Sequence, residues 1–431
     1  MSKSYQPTLL AALSFLAALS LLYYIFYLTE SSTYVNSKWT ELPRMSRNDL
    51  SVSNSSSEST KSTRPLQKVI LYWSKGGWFK GGQAGHPGKC GNCPIVRDRQ
   101  RLTDPDTAAV IFPFETNTVL DYPQNNSRRA DQLYIWWSVE SPSITQSVHI
   151  RKKIDLRDIE DNYFNGTITC RKDSLIPGFL QNPLQQIEMG GLPSEKNLTL
   201  LLAKKNKTAI WFASNCNSGS NGARRIRISE QLIADGLSVD RFGRCFNNRE
   251  STPKRNSKEF FKMIEPYRFY LAFENSLHCR GYITEKFFTN GLMAGAVPIV
   301  SGATREDYKQ VAPPHSYIHV EDFNSTKELV EYLKYLESNE TAYAEYFAWR
   351  TLKQKDHYPY GRYAGFCALC RALYGISVND TRTYTEIYGR DGEKYDHKIG
   401  FPFKEKVVLK SLHDWWYGTA SKDCLHIDKV D

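Results

Sequence analysis

The stretch from Tyr267 to Gly302, YRFYLAFENSLHCRGYITEKFFTNGLMAGAVPIVSG, constrains the fold more than any other part of the chain. A short aromatic and aliphatic run, Phe269 to Phe273, is bounded by the polar trio Glu274, Asn275 and Ser276. A helical segment from about Thr284 to Met293 then leads into the apolar run Val297-Pro298-Ile299-Val300. This is one β-α-β unit. Thr284 can cap the helix through its hydroxyl, so that the first backbone N–H groups, with Lys286 in the first turn, face the end of the preceding strand. Such a place suits a phosphate. Glu274, Glu285 and Lys286 also fit an ordinary solvated helix start, and the stretch alone does not choose between the two.

At 431 residues with 41% hydrophobic and 13% aromatic content, the chain can bury a large core and divide into two domains of ordinary size. The formal net charge of +10 is compatible with nucleic acid or an anionic membrane, but a partner carrying phosphate is enough to account for a local basic site. No feature places the chain with nucleic acid.

Residues 8–28 form an almost uninterrupted apolar run, with Lys3 before it and Glu30 after it, long enough to cross a bilayer as a helix. A cleaved signal peptide is the competing reading. The run is longer than the usual secretory apolar region and no small-residue cleavage site follows Leu28 cleanly, which favours a retained type II anchor with residues 1–7 cytosolic. Residues 29–65 are rich in Ser, Thr and Asn without apolar periodicity, as in a flexible stem. N-glycosylation sequons begin at Asn54, Asn125, Asn165, Asn197, Asn206, Asn324, Asn339 and Asn379, a density that points to a luminal or secreted body.

Nine cysteines agree with an oxidising compartment, and their odd number leaves at least one unpaired or paired between chains. Two CxxC pairs occur, Cys90 with Cys93 and Cys367 with Cys370. A zinc site or a thioredoxin-like redox centre is the alternative to structural disulfides. The compartment, and Pro94 directly after Cys93, favour disulfides.

The first folded segment contains three strands, Lys68 to Tyr72, Ala108 to Phe112 and Gln132 to Val139. Asp104-Pro105-Asp106 spells a metal-binding DxD, but Asp-Pro-Asp before a strand is good turn chemistry and has no further acidic or His neighbours to complete an oxygen shell. No metal is assigned. Glu140 follows an aromatic run where Pro142 forces the chain out of the sheet, which puts it at a strand's carboxyl end, where ligands bind in alternating α/β domains. A wall of Trp side chains would raise its pKa and suit a base; a loop carboxylate capping a nearby N–H is the structural alternative.

Apolar stretches broken by Pro177, Pro183 and Pro193, from about Asn165 to Lys207, carry the connection between domains. The second domain opens with the strand Thr208 to Ala213, a Ser/Gly/Asn loop from Ser214 to Gly222, a basic helix start Ala223-Arg-Arg-Ile-Arg227 and the strand Val239 to Phe242. Backbone N–H groups and guanidinium forks both match phosphate oxygens, so this loop can cradle a diphosphate, although it lacks the glycine-rich dinucleotide and phosphate-loop patterns.

The run Phe269-Tyr-Leu-Ala-Phe-Glu-Asn-Ser276, followed by Tyr282-Ile-Thr-Glu-Lys286 and Val297-Pro298, resembles the signature of the α1,3-fucosyltransferases of glycosyltransferase family 10. Glu140-Ser-Pro142, Ser214-Asn215 with the later arginines, Ser316 to Phe323 and the late CxxC follow in the family's order. The resemblance covers about Lys68 to Arg371 and leaves the segment after Gly375 unexplained.

The resemblance implies a Golgi membrane protein, single-pass type II, with the α/β architecture called GT-B: two facing Rossmann-like domains with a cleft between them. The domains implied are an acceptor domain over 66–195, a GDP-fucose domain over 196–365 and a C-terminal return and tail over 366–431. It implies inverting transfer of L-fucose from GDP-β-L-fucose to the 3-hydroxyl of N-acetylglucosamine in glycoprotein or glycolipid glycans. Carried over by position, Glu140 is the base, and Arg225 and Lys286 clamp the diphosphate, with Arg224 or Arg227 as alternatives to Arg225. Ser214, Asn215, Tyr270, Asn275, Tyr282, Thr284 and Glu285 line the donor pocket, with Glu285 toward the ribose and Glu274 toward the fucose.

No cofactor is required; Arg and Lys offset the pyrophosphate charge, and a divalent metal would be stimulatory only. The Glu-x7-Glu pair of retaining GT-B enzymes is absent, because the eighth residue after Glu274 is Tyr282. The resemblance also implies cross-links from Cys90 and Cys93 to Cys367 and Cys370, and from Cys216 to Cys245, leaving Cys170, Cys279 and Cys424 unassigned.

Among acceptors, the core of N-glycans is favoured over Lewis-type antennae, with the choice lying in loops such as Gly76 to Gly88 and Asn117 to Asn126. An inactive Golgi glycan-binding protein on the same fold is the alternative, which intact Glu140, Arg225 and Lys286 disfavour. The tail after Ile376, with Trp415-Trp416-Tyr417, is expected to pack over the donor domain rather than meet a partner.

Overall fold

Strands buried on both faces of a parallel sheet must be apolar along their whole length rather than alternating. The chain supplies such runs in β1 (Val69–Tyr72), β4 (Thr107–Pro113) and β5 (Leu133–Trp137), nearly every residue of which is buried. The computed structural model describes residues 67–74, 81–115, 121–124, 127–171, 173–177, 198–217, 221–351, 365–377, 382, 384–388, 408–418 and 424. The expected anchor and stem lie outside the described residues, as do the sequons Asn54, Asn125, Asn197 and Asn379. Among the described residues no helix is long and apolar enough to cross a membrane.

The first sheet adds β2 (Gly82–Gln83), β3 (Pro94–Val96), β6 (Gly166–Thr169) and β7 (Ile176–Pro177) in the order β2-β3-β1-β4-β5-β6-β7. Every pairing is parallel except β2 with β3. The second sheet contains β8 (Lys207–Phe212), β9 (Val239–Phe242), β10 (Tyr267–Phe273), β11 (Val297–Ser301) and β12 (Ile318–His319), in the order β12-β11-β10-β8-β9 and wholly parallel. Numbered along the chain, its strands run 2-1-3-4-5, a doubly wound order whose ligand crevice opens beyond the carboxyl ends of the first and third strands, here β8 and β10.

Two expectations change here. Residues 166–177, read as part of the connection between domains, are two strands of the first sheet, short enough that their apolar runs carry little signal of their own. Asn165 is no glycan site: it is 0% exposed, and its Oδ1 accepts from Tyr134 N at 2.8 Å and from Arg128. A side-chain amide used inside the core has no path to solvent.

The chain returns to the first sheet after the second. Helix Phe366–Leu373 packs into the apolar face carrying Ile70, Tyr72 and Trp137, joined by the Cys90–Cys367 and Cys93–Cys370 disulfides. On the opposite face Leu409 bridges Phe164, and Trp416, fully buried, sets its ring 4.9 Å from Trp136 and donates its indole N–H to Thr145 Oγ1 at 2.7 Å. The aromatic part of the described tail thus packs on the first sheet, where the surface of Trp136 and Tyr163 receives it, while Cys424 is bonded to Cys279 in the loop after β10.

Candidate active site

The first half of the site comes from the end of β5. Ser138 Oγ accepts from Glu140 N at 3.1 Å and donates to Glu140 O at 3.0 Å, closing a tight turn. Ser141 caps the helix α1 (Pro142–Lys152) by accepting from Ile144 N. The Glu140 side chain therefore leaves the sheet at its carboxyl end, half-buried, and Oε2 accepts from the Tyr282 hydroxyl at 3.0 Å. Burial pushes its carboxyl above the ordinary value; the Tyr282 hydrogen bond and the Lys286 charge offset part of that.

The second half lies at the β8/β10 crevice. Gly222 opens the helix α2 (Gly222–Ala234) where a Cβ would sit 2.9 Å from the backbone carbon of Asn217. Asn221 ties that helix to the loop after β10, its backbone N–H donating to Asn275 O at 3.0 Å and its side-chain amide to Glu274 O at 2.9 Å. Arg225, 2% exposed, spans the crevice: Nη1 donates to Phe273 O at 3.0 Å and Nη2 to Asn215 O. Its Nε–H is buried with no acceptor among the described residues, which suits an anionic ligand at this end of the sheet. The Cys216–Cys245 disulfide holds the loop after β8 to the end of β9, and Arg244 donates to Ser214 O at 2.7 Å.

The loop after β10 departs from expectation. Glu274, 0% exposed, accepts from Thr284 N and Thr284 Oγ1, both at 2.8 Å, and from Lys286 Nζ at 2.9 Å. The anion at this helix start is the chain's own carboxylate, bound on both oxygens from within the chain rather than open to a ligand. The helix itself, Lys286–Met293, is a π-helix rather than the expected α-helix, with Ala294 N donating to Thr289 O. Buried on every side from Phe287 to Met293, it presents no exposed face. Tyr270, expected to line the donor pocket, lies in the core. It is 1% exposed, its ring stacked toward Phe212 and its hydroxyl held by Asn290 Nδ2 at 3.0 Å, because it points into the sheet's apolar face.

Glu285 pairs with Arg255 at 3.0 Å and lies 3.6 Å from Lys286. Burial pushes its carboxyl up, but Lys286 and Arg255 outweigh that and hold it below the ordinary value. Asn275 is 8% exposed and shapes the loop. The two halves meet at hydroxyls: Ser276 Oγ lies 2.5 Å from Ser141 Oγ and 2.9 Å from Ser143 Oγ. Asp104 and Asp106 are both bound by Arg101, at 2.8 and 2.7 Å, as a turn.

Sequence reasoning missed Arg255, the serine contact and the Cys279–Cys424 disulfide, which ties the loop before Tyr282 to the tail. None has a local sequence signal. Cys170 remains a buried thiol, pushed up to about 12 by burial.

These elements define an α/β protein whose polar groups converge at the carboxyl ends of two doubly wound sheets, one end offering a raised carboxyl and the other a lysine and an arginine suited to an anion. Residues 65–178 match the model described as "Fucosyltransferase, N-terminal", and residues 202–389 that of "Glycosyltransferase family 10 (fucosyltransferase) C-term". The chain belongs to glycosyltransferase family 10, the fucosyltransferases.

It is 32% identical over 336 residues to the glycoprotein 3-alpha-L-fucosyltransferase A of Drosophila melanogaster, covering 77% of this chain and 61% of that protein. It is 35% identical over 294 residues to a human 4-galactosyl-N-acetylglucosaminide 3-alpha-L-fucosyltransferase, covering 68% and 74%. A crystal structure of an alpha1,3-fucosyltransferase with GDP aligns at 18% identity and a TM-score of 0.38, over 76% of this chain and 96% of that one.

Proposed function

We propose that the protein transfers L-fucose from GDP-β-L-fucose to the 3-hydroxyl of an N-acetylglucosamine unit, with inversion, in the two-domain GT-B manner. The observation that carries this is the Glu140 carboxylate, raised by burial and held by a hydroxyl from the opposite half of the site. The acceptor oxygen forms a bond to fucose C1 as the bond from C1 to the β-phosphate oxygen breaks. The proton passes to Glu140, and the electron pair leaves with GDP. Lys286 and the Arg225 guanidinium stabilise the departing diphosphate. Glu285, Thr284, Tyr282, Asn275, Ser214 and Asn215 surround the donor.

The N-glycan core is the favoured acceptor. The likeness to the Drosophila glycoprotein fucosyltransferase supports it, and the likeness to the human relative keeps the Lewis-type acceptor as the alternative. The apolar run 8–28, the disulfides and the sequons support a Golgi type II protein with a luminal body.

Transfer of labelled fucose from GDP-fucose tests the reaction. Wild type is expected to turn over, and Glu140→Gln to lose kcat by about a hundredfold or more while still binding donor; unchanged turnover in that variant removes the base assignment. Core chitobiose glycopeptides compared with N-acetyllactosamine decide the acceptor.

A further inference from the structure

We infer that Glu274 is a positioning residue for the donor: it supplies the anion at the start of the Lys286–Met293 helix from within the chain, and so aims one charged N–H of Lys286 at the diphosphate. This rests on the reading of the site as a GDP-fucose site. A carboxylate offers about four acceptor positions. Three are taken here, by Thr284 N, Thr284 Oγ1 and Lys286 Nζ, and the residue is 0% exposed. A sugar hydroxyl would have to break one of these bonds from inside the core.

Gly302 closes the far side. Its φ is +134°, and a Cβ there would stand 2.6 Å from Glu274 Cβ, so the carboxylate is confined between β11 and the helix start. The ammonium is confined in turn. Of its three N–H groups, one donates to Glu274 Oε2 at 2.9 Å and one to Thr284 Oγ1 at 2.8 Å. The third has Glu285 Oε1 at 3.6 Å, beyond hydrogen-bond length, and whereas Glu274 is shut off from solvent, the Lys286 side chain is 16% exposed. Two bonds fix the direction of the remaining one, which is how a flexible lysine becomes a directional donor. Burial pulls Lys286 toward neutrality, and the charges of Glu274 and Glu285 reverse that pull. Removing the Glu274 charge lets burial gain, so the ammonium loses its proton at lower pH.

The test is titration calorimetry of GDP and of GDP-fucose on the full-length protein in detergent, with the pH profile of kcat/KM, for wild type and Glu274→Gln. The variant is expected to weaken both ligands by the same factor, about tenfold or more, and to move the alkaline limb of kcat/KM to lower pH. A loss confined to GDP-fucose would mean that Glu274 touches the sugar, and unchanged affinities with an unmoved limb would mean that it only packs; either result overturns the inference. If Glu274→Gln does not fold, Glu274→Asp keeps the charge but withdraws it. Equal weakening of both ligands with the alkaline limb in place is then expected, and a loss confined to GDP-fucose again overturns it. A wild type that binds neither ligand overturns the GDP-fucose reading and this inference together, whereas a binding wild type with an indifferent variant overturns this inference alone.

Discussion

The Tyr282 hydroxyl, in the loop after β10, donates to the Glu140 carboxylate at the end of β5 across 3.0 Å of space and 142 residues of chain. Burial and the neighbouring Glu140 keep the Tyr282 proton on its oxygen, so it acts as a donor throughout the working pH range. The second domain thereby reaches the proposed base of the first.

Tyr282→Phe should expose that dependence. Glu140 must be ionised to take a proton, and the hydrogen bond lowers a carboxyl that burial has raised. Without the hydroxyl the pKa rises further, so the acid limb of kcat/KM moves to higher pH and kcat near neutrality falls roughly tenfold. A pH-rate profile of both proteins measures this; an unmoved acid limb would show that the hydroxyl does not govern the base.

The serine contact is a second link between the halves. Ser276→Ala with Ser141→Ala in a double-mutant cycle should give a coupling of about 0.5–1 kcal/mol in urea unfolding. Additive losses would place the two hydroxyls apart in solution.

Asn165 makes a sharp contrast with the other sequons. Peptide mass mapping should find it without glycan, while Asn206 and Asn324, both exposed, are open to modification. Asn165→Ala should cost about 2–3 kcal/mol, because Tyr134 N–H and Arg128 lose their acceptor.

Trp416→Ala should destabilise the protein by about 3–5 kcal/mol, through the emptied volume beside Trp136 and the lost indole hydrogen bond to Thr145. Thermal unfolding measures the loss. A tail that hung free would give almost none.

Non-reducing peptide mapping should recover Cys279 joined to Cys424 and Cys170 as a free thiol. Replacing Cys424 by Ser should lower stability by about 2–4 kcal/mol. Recovery of Cys170 joined to either partner would contradict the pairing.

Much of the architecture was legible in the chain. Runs such as VILY, TAIWF and YLAF announce buried parallel strands because both sheet faces must be apolar, and Pro142 after Glu140 marks a strand end because it cannot continue the ladder. The short strands at Gly166–Thr169 and Ile176–Pro177 were not legible, since four residues and two carry no period of their own and are strands only because β5 offers an edge to the first and the first offers one to the second. The π-helix escaped for a related reason. Its pattern is helical, and the apolar residues Phe287, Phe288 and Leu292, which share one core, do not distinguish an α from a π turn.

For the site, the sequence by itself determined which residue types stand at the strand ends: a carboxylate after β5, a Glu-Asn-Ser trio after β10 and a Thr-Glu-Lys helix start, in an order that marks the family. Only the tertiary structure decided which of them meet. Glu274 and Lys286 look from the sequence like two open binding groups, but the fold turns them on each other at 2.9 Å, with Glu274 wholly buried and Lys286 mostly so. Tyr282 and Glu140, Ser276 and Ser141, and Cys279 and Cys424 are brought together by the docking of whole sheets and of the tail. A pairing across more than a hundred residues leaves no local pattern to read, because its energy belongs to surfaces that exist only after both partners have folded.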